Sequence, residues 1–423
     1  MSTTRQAGAS PSEPSHEGPG GSGIHHLDHF SKRRYYMFIS KRATVAAIAS
    51  LMALALSTGT IWAQTATAWS KKAALDAPDT TEQLYEAAKK EGKVVLYSMS
   101  SRSKDVKASF EKQYPGVTVE AYDMRNTEIF EKIERENAAG IKNADVIFVK
   151  DSDGTMANDF YARGVVHSYV PKDIGVKVAN EFKRPGFAIY LEMKLVFYNT
   201  EVYDKDPIDS WWDLTRPEWK GKIMLTNPQA AIETLGLFCS FVQNSAEMAA
   251  DYKREFGQDI KLSPGIANAG YEFIKRLAAN DLIITSSDQE VVDAIGAAGQ
   301  KNPPIGIATS SKIRDKSKGL KLGMVTTLKP RSSTGNPAYL PMVEGGQHPN
   351  AAKLLIRYMA GETDGKAAGF KPFDVEGAWP TRSDMATKSA TPLTAMNLWS
   401  EDAKYNYPNT VKVTNFWISL KKK

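Results

Sequence analysis

The chain has 423 residues, 42% apolar and 24% charged, with a formal net charge of +6; that is ordinary globular composition, with chain enough for about two core-forming units. Residues 1–63 hold six of the basic and three of the acidic residues, so the remainder carries +3, of which three charges are the terminal Lys421, Lys422 and Lys423. No clustered basic face is left to bind nucleic acid, and the single cysteine, Cys239, excludes an internal disulfide framework.

Residues 1–36 contain Pro11, Pro14, Pro19, several glycines and serines, His25, His26 and His29, and few aliphatics. Such a stretch buries too little to offset its ordering entropy, so a disordered extension is expected. Its Gly18–Gly23 run matches a dinucleotide-binding glycine pattern, but with no strand before it and no helix after it the match has no structural context. Residues 37–63 have the parts of a secretory signal peptide. Lys41 and Arg42 precede the apolar run 43–56, and a small-residue end offers cleavage after Ala63 or Ala68. The run is shorter than the ~20 residues a spanning helix needs. Export to the periplasm is therefore expected.

Thr80-Thr81-Glu82 starts a helix that Gly92 closes. KVVLYSMSSR (93–102) is a buried strand running into a serine-rich loop, DVKASFEKQYPG (105–116) a helix, VTVEAY (117–122) a strand, TEIFEKIERENAAG (127–140) a helix and ADVIFVKD (144–151) a second buried strand. Strands alternating with helices in short succession imply parallel pairing with right-handed crossovers. The alternation resumes with the apolar stretch 186–202, the strand 222–227, helices at 246–257 and 271–280, a strand leading into a helix over 282–299, a strand at 305–311 and a helix at 348–361.

Several segments carry a family resemblance: EGKVVLYSMSSR with FEKQYPGVTVE, ADVIFVKD, ARGVVHSYVP, VFYNTEVY, DSWWDLTRPEWKGKIMLTNP and HPNAAKLLIRYMAGE. In this order they resemble the periplasmic solute-binding proteins of ABC importers, family 1 type, the group with ferric-iron, organophosphate, thiamine and polyamine binders. The resemblance runs from about Lys89 to Trp379. It implies a two-lobe α/β fold (type II, Venus-flytrap) with the ligand cleft between the lobes. Lobe one is expected at 80–195 and 320–365, and lobe two at 196–319 and 366–423. It further implies a monomer that delivers a small solute to a membrane permease, with no cofactor and no enzyme activity. Trp211, Trp212 and Trp219 are expected to pack the base of lobe two, because large rings bury much area.

Open α/β sheets bind ligands beyond the carboxyl ends of their strands. The loops expected there are hydroxyl-rich: Ser100-Ser101-Arg102, Thr226 with Gln229 and Ala230, Ser286-Ser287-Asp288, and Ser310-Ser311. Helix N-termini in such loops favour an anion, and Arg102 adds a bidentate clamp for phosphate, phosphonate or carboxylate; helix capping is the competing role for each serine and threonine. The resemblance implies ferric ligation by adjacent tyrosines after the strand 305–311, where this chain has Ser310-Ser311, so a small organic anion is the expected cargo and iron an alternative. A polyamine is the opposite-charge alternative, with Asp151, Asp288 and Tyr190 as its candidate ligands. No metal site is expected. His348 is expected at a helix start and His167 in a surface turn. No nucleophile elbow or HExxH helix supports a secreted hydrolase, and a ligand-presenting sensor subunit is the remaining alternative.

Overall fold

A computed structural model describes residues 66–420, all within one compact unit spanning Trp62–Lys423. The N-terminal extension 1–36 and the signal segment 37–63 lie outside the described residues.

The strands are β1 (Lys93–Ser98), β2 (Thr118–Asp123), β3 (Val146–Phe148), β4 (Val166–His167), β5 (Phe187–Glu192), β6 (Lys194–Asn199), β7 (Ile223–Thr226), β8 (Ile283–Thr285), β9 (Ile305–Thr309) and β10 (Leu322–Val325). Then come β11 (Ser333–Thr334), β12 (Asn336–Leu340), β13 (Met342–Val343), β14 (Trp379–Pro380) and β15 (Leu398–Trp399). Ten of them build two five-stranded sheets, β2-β1-β3-β13-β4 and β10-β6-β9-β7-β8, one per lobe, and the other five build the smaller sheets β12-β5-β14 and β11-β15. β1 pairs in parallel with β2 and β3, as the strand–helix alternation requires, and β7 pairs in parallel with β8 and β9.

The local chemistry follows the residues. The helix Thr81–Glu91 begins with a capping box between Thr80 and Gln83 and ends at Gly92 with φ 75°. The amphipathic helix Pro349–Met359 lays Leu354, Leu355 and Tyr358 into the first core beside Leu84, Leu96 and Phe110. In the second core Trp211 and Trp212 are fully buried and their indole N–H groups donate to the carbonyls of Arg331 and Met248. With Trp219 they form packing, not a cargo box.

The apolar stretch 186–202 is where the lobes join. It divides into β5 and β6, separated by Met193 alone and belonging to different sheets: β5 pairs antiparallel with β12 and β14, while β6 enters the second sheet between β10 and β9. The return crossing passes from β11 to β12 through Gly335.

The segment 366–423, expected in lobe two as a block, divides between the cores. Phe370, Phe373 and Ala378 pack with the first, and Trp399, Val413 and Trp417 with the second. Its last element is an 18-residue helix, Ala403–Leu420, with Pro408 inside it. That helix also touches the first lobe, where Asn406 Nδ2 donates to the Ser152 carbonyl at 3.0 Å and Asn158 Nδ2 to that of Ala403 at 2.8 Å.

His167 is not in a surface turn. It is 2% exposed on β4, with Nε2 2.6 Å from Glu344 Oε2 and its ring against Trp69. The Trp69 ring lies 5.5 Å from it, and Met342 of β13 pairs with it across the sheet. Thr67 Oγ1 donates to the same Glu344 oxygen at 2.8 Å, so the chain is seated on lobe one from Thr67 onward.

Candidate functional site

The carboxyl ends of β1, β3 and β5 and the turn after β9 meet between the lobes. Arg102 enters from the loop after β1, at the start of the helix Ser103–Gln113. Its Nε donates to Ser100 Oγ at 3.2 Å, Nη1 to the Pro372 carbonyl at 3.2 Å, and Nη2 to the Tyr190 hydroxyl at 3.4 Å and Glu192 Oε1 at 3.2 Å. The guanidinium lies 4.9 Å from the centre of the Phe373 ring, which stacks on Tyr190 at 5.4 Å and 20°. Every polar contact of this side chain is long, and none is bidentate. Arg357, by contrast, holds Asp173 with two bonds of 2.7 Å.

Lys150, two residues after β3, is buried at 3% exposure and lies 2.9 Å from Glu192 Oε2 and 3.5 Å from Glu233 Oε1. Burial opposes its charge and the two carboxylates outweigh burial, so its pKa is raised. Glu192 is the mirror case. Burial favours its neutral form, yet Lys150 and Arg102 hold its pKa down to about 2. Arg102 likewise ends above its ordinary value, because Tyr190 and Glu192 outweigh burial.

The facing side is different. After β9 a 3₁₀ segment, Ser310–Lys318, carries Ser311, Lys312 and Arg314. Arg314 Nη1 donates to the Ser311 carbonyl at 2.6 Å and to Ser311 Oγ at 3.2 Å; Lys312 Nζ donates to Gln289 Oε1 at 2.8 Å. Both cations have lowered pKa values: burial comes first for each, then repulsion by Arg102 for Arg314 and by Arg314 for Lys312. The hydrogen-bond partners of these two partly desolvated cations are neutral, Arg314 Nε also lies 4.0 Å from Asp315 Oδ1, and Arg102 faces Arg314.

The residues expected from the sequence fall into three groups. Ser100, Arg102, Tyr190 and Ser311 meet in this cluster. Thr226 and Asp288 form another: Asp288 accepts from Lys194 Nζ at 2.9 and 2.7 Å, from Thr226 Oγ1 and Thr309 Oγ1 at 2.6 Å each, and from Thr309 N at 2.9 Å. Burial disfavours its charge, but Lys194 and these donors hold the carboxyl well below the usual range. The others hold structure. Ser310 Oγ accepts from Met193 N at 3.1 Å and donates to Gly377 O. Asp151 accepts from Met156 N at 2.6 Å and Ala157 N at 2.9 Å, which turns its carboxylate into a cap. Ser287 caps its helix through Glu290 N, Ser286 donates to Glu290, and Ser101, Gln229 and Ala230 are exposed.

Lys150, Glu192, Glu233, Lys312, Arg314 and Phe373 were not expected. Glu192 and Lys194 are visible as charges inside the apolar run FAIYLEMKLVFYN, and a charge in a buried strand demands a partner. Which partner each finds depends on the fold.

Residues 105–405 match the model of the bacterial extracellular solute-binding protein family. The chain belongs to that family. Solved two-lobe binding proteins share the fold. The periplasmic binding protein AfuA from Actinobacillus pleuropneumoniae, with exogenous fructose-6-phosphate bound, is 19% identical with a TM-score of 0.60, over 79% of this chain and 100% of that one. Apo ferric ion-binding protein A of Pasteurella haemolytica is 15% identical with a TM-score of 0.60, over 78% and 98%. Iron-bound HitA from Pseudomonas aeruginosa is 15% identical with a TM-score of 0.58, over 78% and 99%. No curated protein sequence matches the chain. At these identities the likeness carries the fold and not the cargo.

Proposed function

We propose that this solute-binding protein captures a small organic anion, a phosphonate, phosphoester or carboxylate, between its lobes and delivers it to the permease of an ABC importer. The observation that carries this reading is the set Arg102, Lys312 and Arg314. These cations converge from both lobes, two of them are destabilised by burial and by like charge, and an anion between them relieves that repulsion. Arg102, with long single contacts, has a planar fork free to re-form as a bidentate clamp. Ser100, Ser311 and the Tyr190 hydroxyl add neutral partners, and Phe373 with Tyr190 supplies an apolar wall for the organic part. That several solved neighbours are ferric binders favours iron as an alternative, but a trivalent cation entering this cleft meets the same three positive charges. A polyamine meets them too.

Capture couples to hinge motion because the two sides of the site lie on different lobes, joined at Met193, at Gly335 and again between β14 and β15. Contacts complete only when the lobes meet, so the ligand's binding energy favours the closed form. The test is a thermal-shift panel of phosphonates, phosphoesters, carboxylates, polyamines and ferric citrate. A ligand of the native state raises the midpoint with its concentration. A shift confined to anions supports the reading, and a shift confined to iron or polyamine overturns it.

A further inference from the structure

Glu192 stands where an anionic ligand is expected. It is 3% exposed at the end of β5, one residue before the Met193 crossing, and its two oxygens divide the cations of lobe one: Oε1 takes Arg102 at 3.2 Å, Oε2 takes Lys150 at 2.9 Å. The bonds are unequal in kind. Lys150 is buried, close, and also shared with Glu233 at 3.5 Å, whereas Arg102 is 18% exposed and meets Glu192 through one long bond from a nitrogen that it divides with Tyr190. A buried carboxylate stripped of both partners is costly, but one that keeps Lys150 is not. Release of Arg102 alone is therefore the inexpensive rearrangement.

We propose that Glu192 is a resident counter-ion for Arg102, displaced by the incoming anion while Lys150 retains it, and that this competition sets which anions bind. The proposal rests on the anion reading above. An incoming group must offer the guanidinium more than one long carboxylate contact, which a tetrahedral oxyanion does through two oxygens. A weak single carboxylate such as acetate offers only what Glu192 already supplies. The glutamate thus excludes poor anions and protects the empty cleft from an unpaired buried guanidinium.

The test measures binding of inorganic phosphate, methylphosphonate and acetate to the native protein and to Glu192→Gln by calorimetry, together with a crystal structure of the native protein soaked in the tightest of the three. Removal of the competing charge is expected to tighten phosphate or methylphosphonate by about tenfold, and to make acetate binding measurable. The native complex is expected to show Arg102 turned from Glu192 to the ligand, with the Lys150–Glu192 bond kept. Equal or weaker binding by Glu192→Gln, where the native protein binds, overturns the counter-ion role and leaves the anion reading standing. If the variant does not fold, the native complex decides: an Arg102–Glu192 contact unchanged beside the bound anion overturns the proposal. Binding of none of the three to the native protein, with a response to ferric citrate or spermidine instead, overturns both readings.

Discussion

Lys150 Nζ, on lobe one, lies 3.5 Å from Glu233 Oε1 on lobe two, an ion pair in which the lysine is buried and the glutamate 18% exposed. Glu233 is in the first turn of the helix Ile232–Gln243, whose N-terminus favours a negative charge. Because Lys150 keeps Glu192 when the lobes part, Glu233→Gln should leave the fold intact and weaken the closed form. Ligand affinity should fall by about three- to tenfold. Calorimetry reads the affinity, and small-angle scattering should show a larger fraction of open molecules; unchanged values would confine the pair to packing.

A second contact of the same seam depends on the absence of a side chain. A Cβ on Gly236 would stand 2.8 Å from the Ser152 carbonyl oxygen and 2.9 Å from Ser152 Cβ, across the lobes. Gly236→Ala should wedge the lobes apart. The radius of gyration should then stay at its open value when ligand is added, while the unfolding midpoint of the free protein changes little. A ligand-induced compaction equal to the native one would show that the seam relaxes around the methyl group.

The tryptophan-rich entry to the second lobe makes a different prediction. Trp212 is fully buried, meets Tyr252 and Phe273 edge-on at 5.0 and 5.2 Å, and donates to the Met248 carbonyl at 2.8 Å. Trp212→Ala should cost about 3–5 kcal/mol of stability. Denaturant unfolding measures it; a loss of ligand affinity with no loss of stability would instead make this an aromatic ligand site.

Stability should depend on pH in two opposed windows. Burial raises the Glu401 pKa to about 7 from 4.5, so the folded protein holds a proton there that the unfolded chain has lost; this contribution is complete below 4.5 and is lost as pH rises through about 7. Glu192 is held down to about 2 from 4.5, so its contribution is present above 4.5 and is lost as pH falls through about 2. Glu401→Gln should therefore flatten the decline in midpoint between pH 4.5 and about 7 without altering the acid limb. A decline as steep as the native one would assign it to other groups, with Asp151 next, since burial and Asp153 raise its pKa too.

The fold was largely legible because its determinants are local. Thr80 and Gly92 bound a helix by cap chemistry, the strand–helix alternation of 93–151 dictates parallel pairing, and the bulk of Trp211 and Trp212 dictates burial. The break at Met193 was not legible, since FAIYLEMKLVFYN carries only the charges Glu192 and Lys194 in an otherwise apolar run and a change of sheet leaves no turn residue behind. The C-terminal helix was hidden by Pro408 and by Val411, Val413 and Thr414, residues that fit a helix poorly and are stabilised here by packing of Val413 and Trp417 on the second core. Within the site, Arg102 and its serines were legible from the strand-to-helix turn. Lys150, Glu192, Glu233 and Arg314 lie on four separate segments, and only the tertiary fold brings their charges together.

Anion binding through cations supplied by both lobes is the proposed role of the cleft. Its most direct measurement is a calorimetric titration of the native protein, Arg102→Ala and Arg314→Ala with the anion that most raises the thermal midpoint. Each substitution, one from each side of the cleft, is expected to weaken binding by more than about tenfold. Native affinity in both variants, or tight binding of ferric iron or a polyamine in place of any anion, would contradict it.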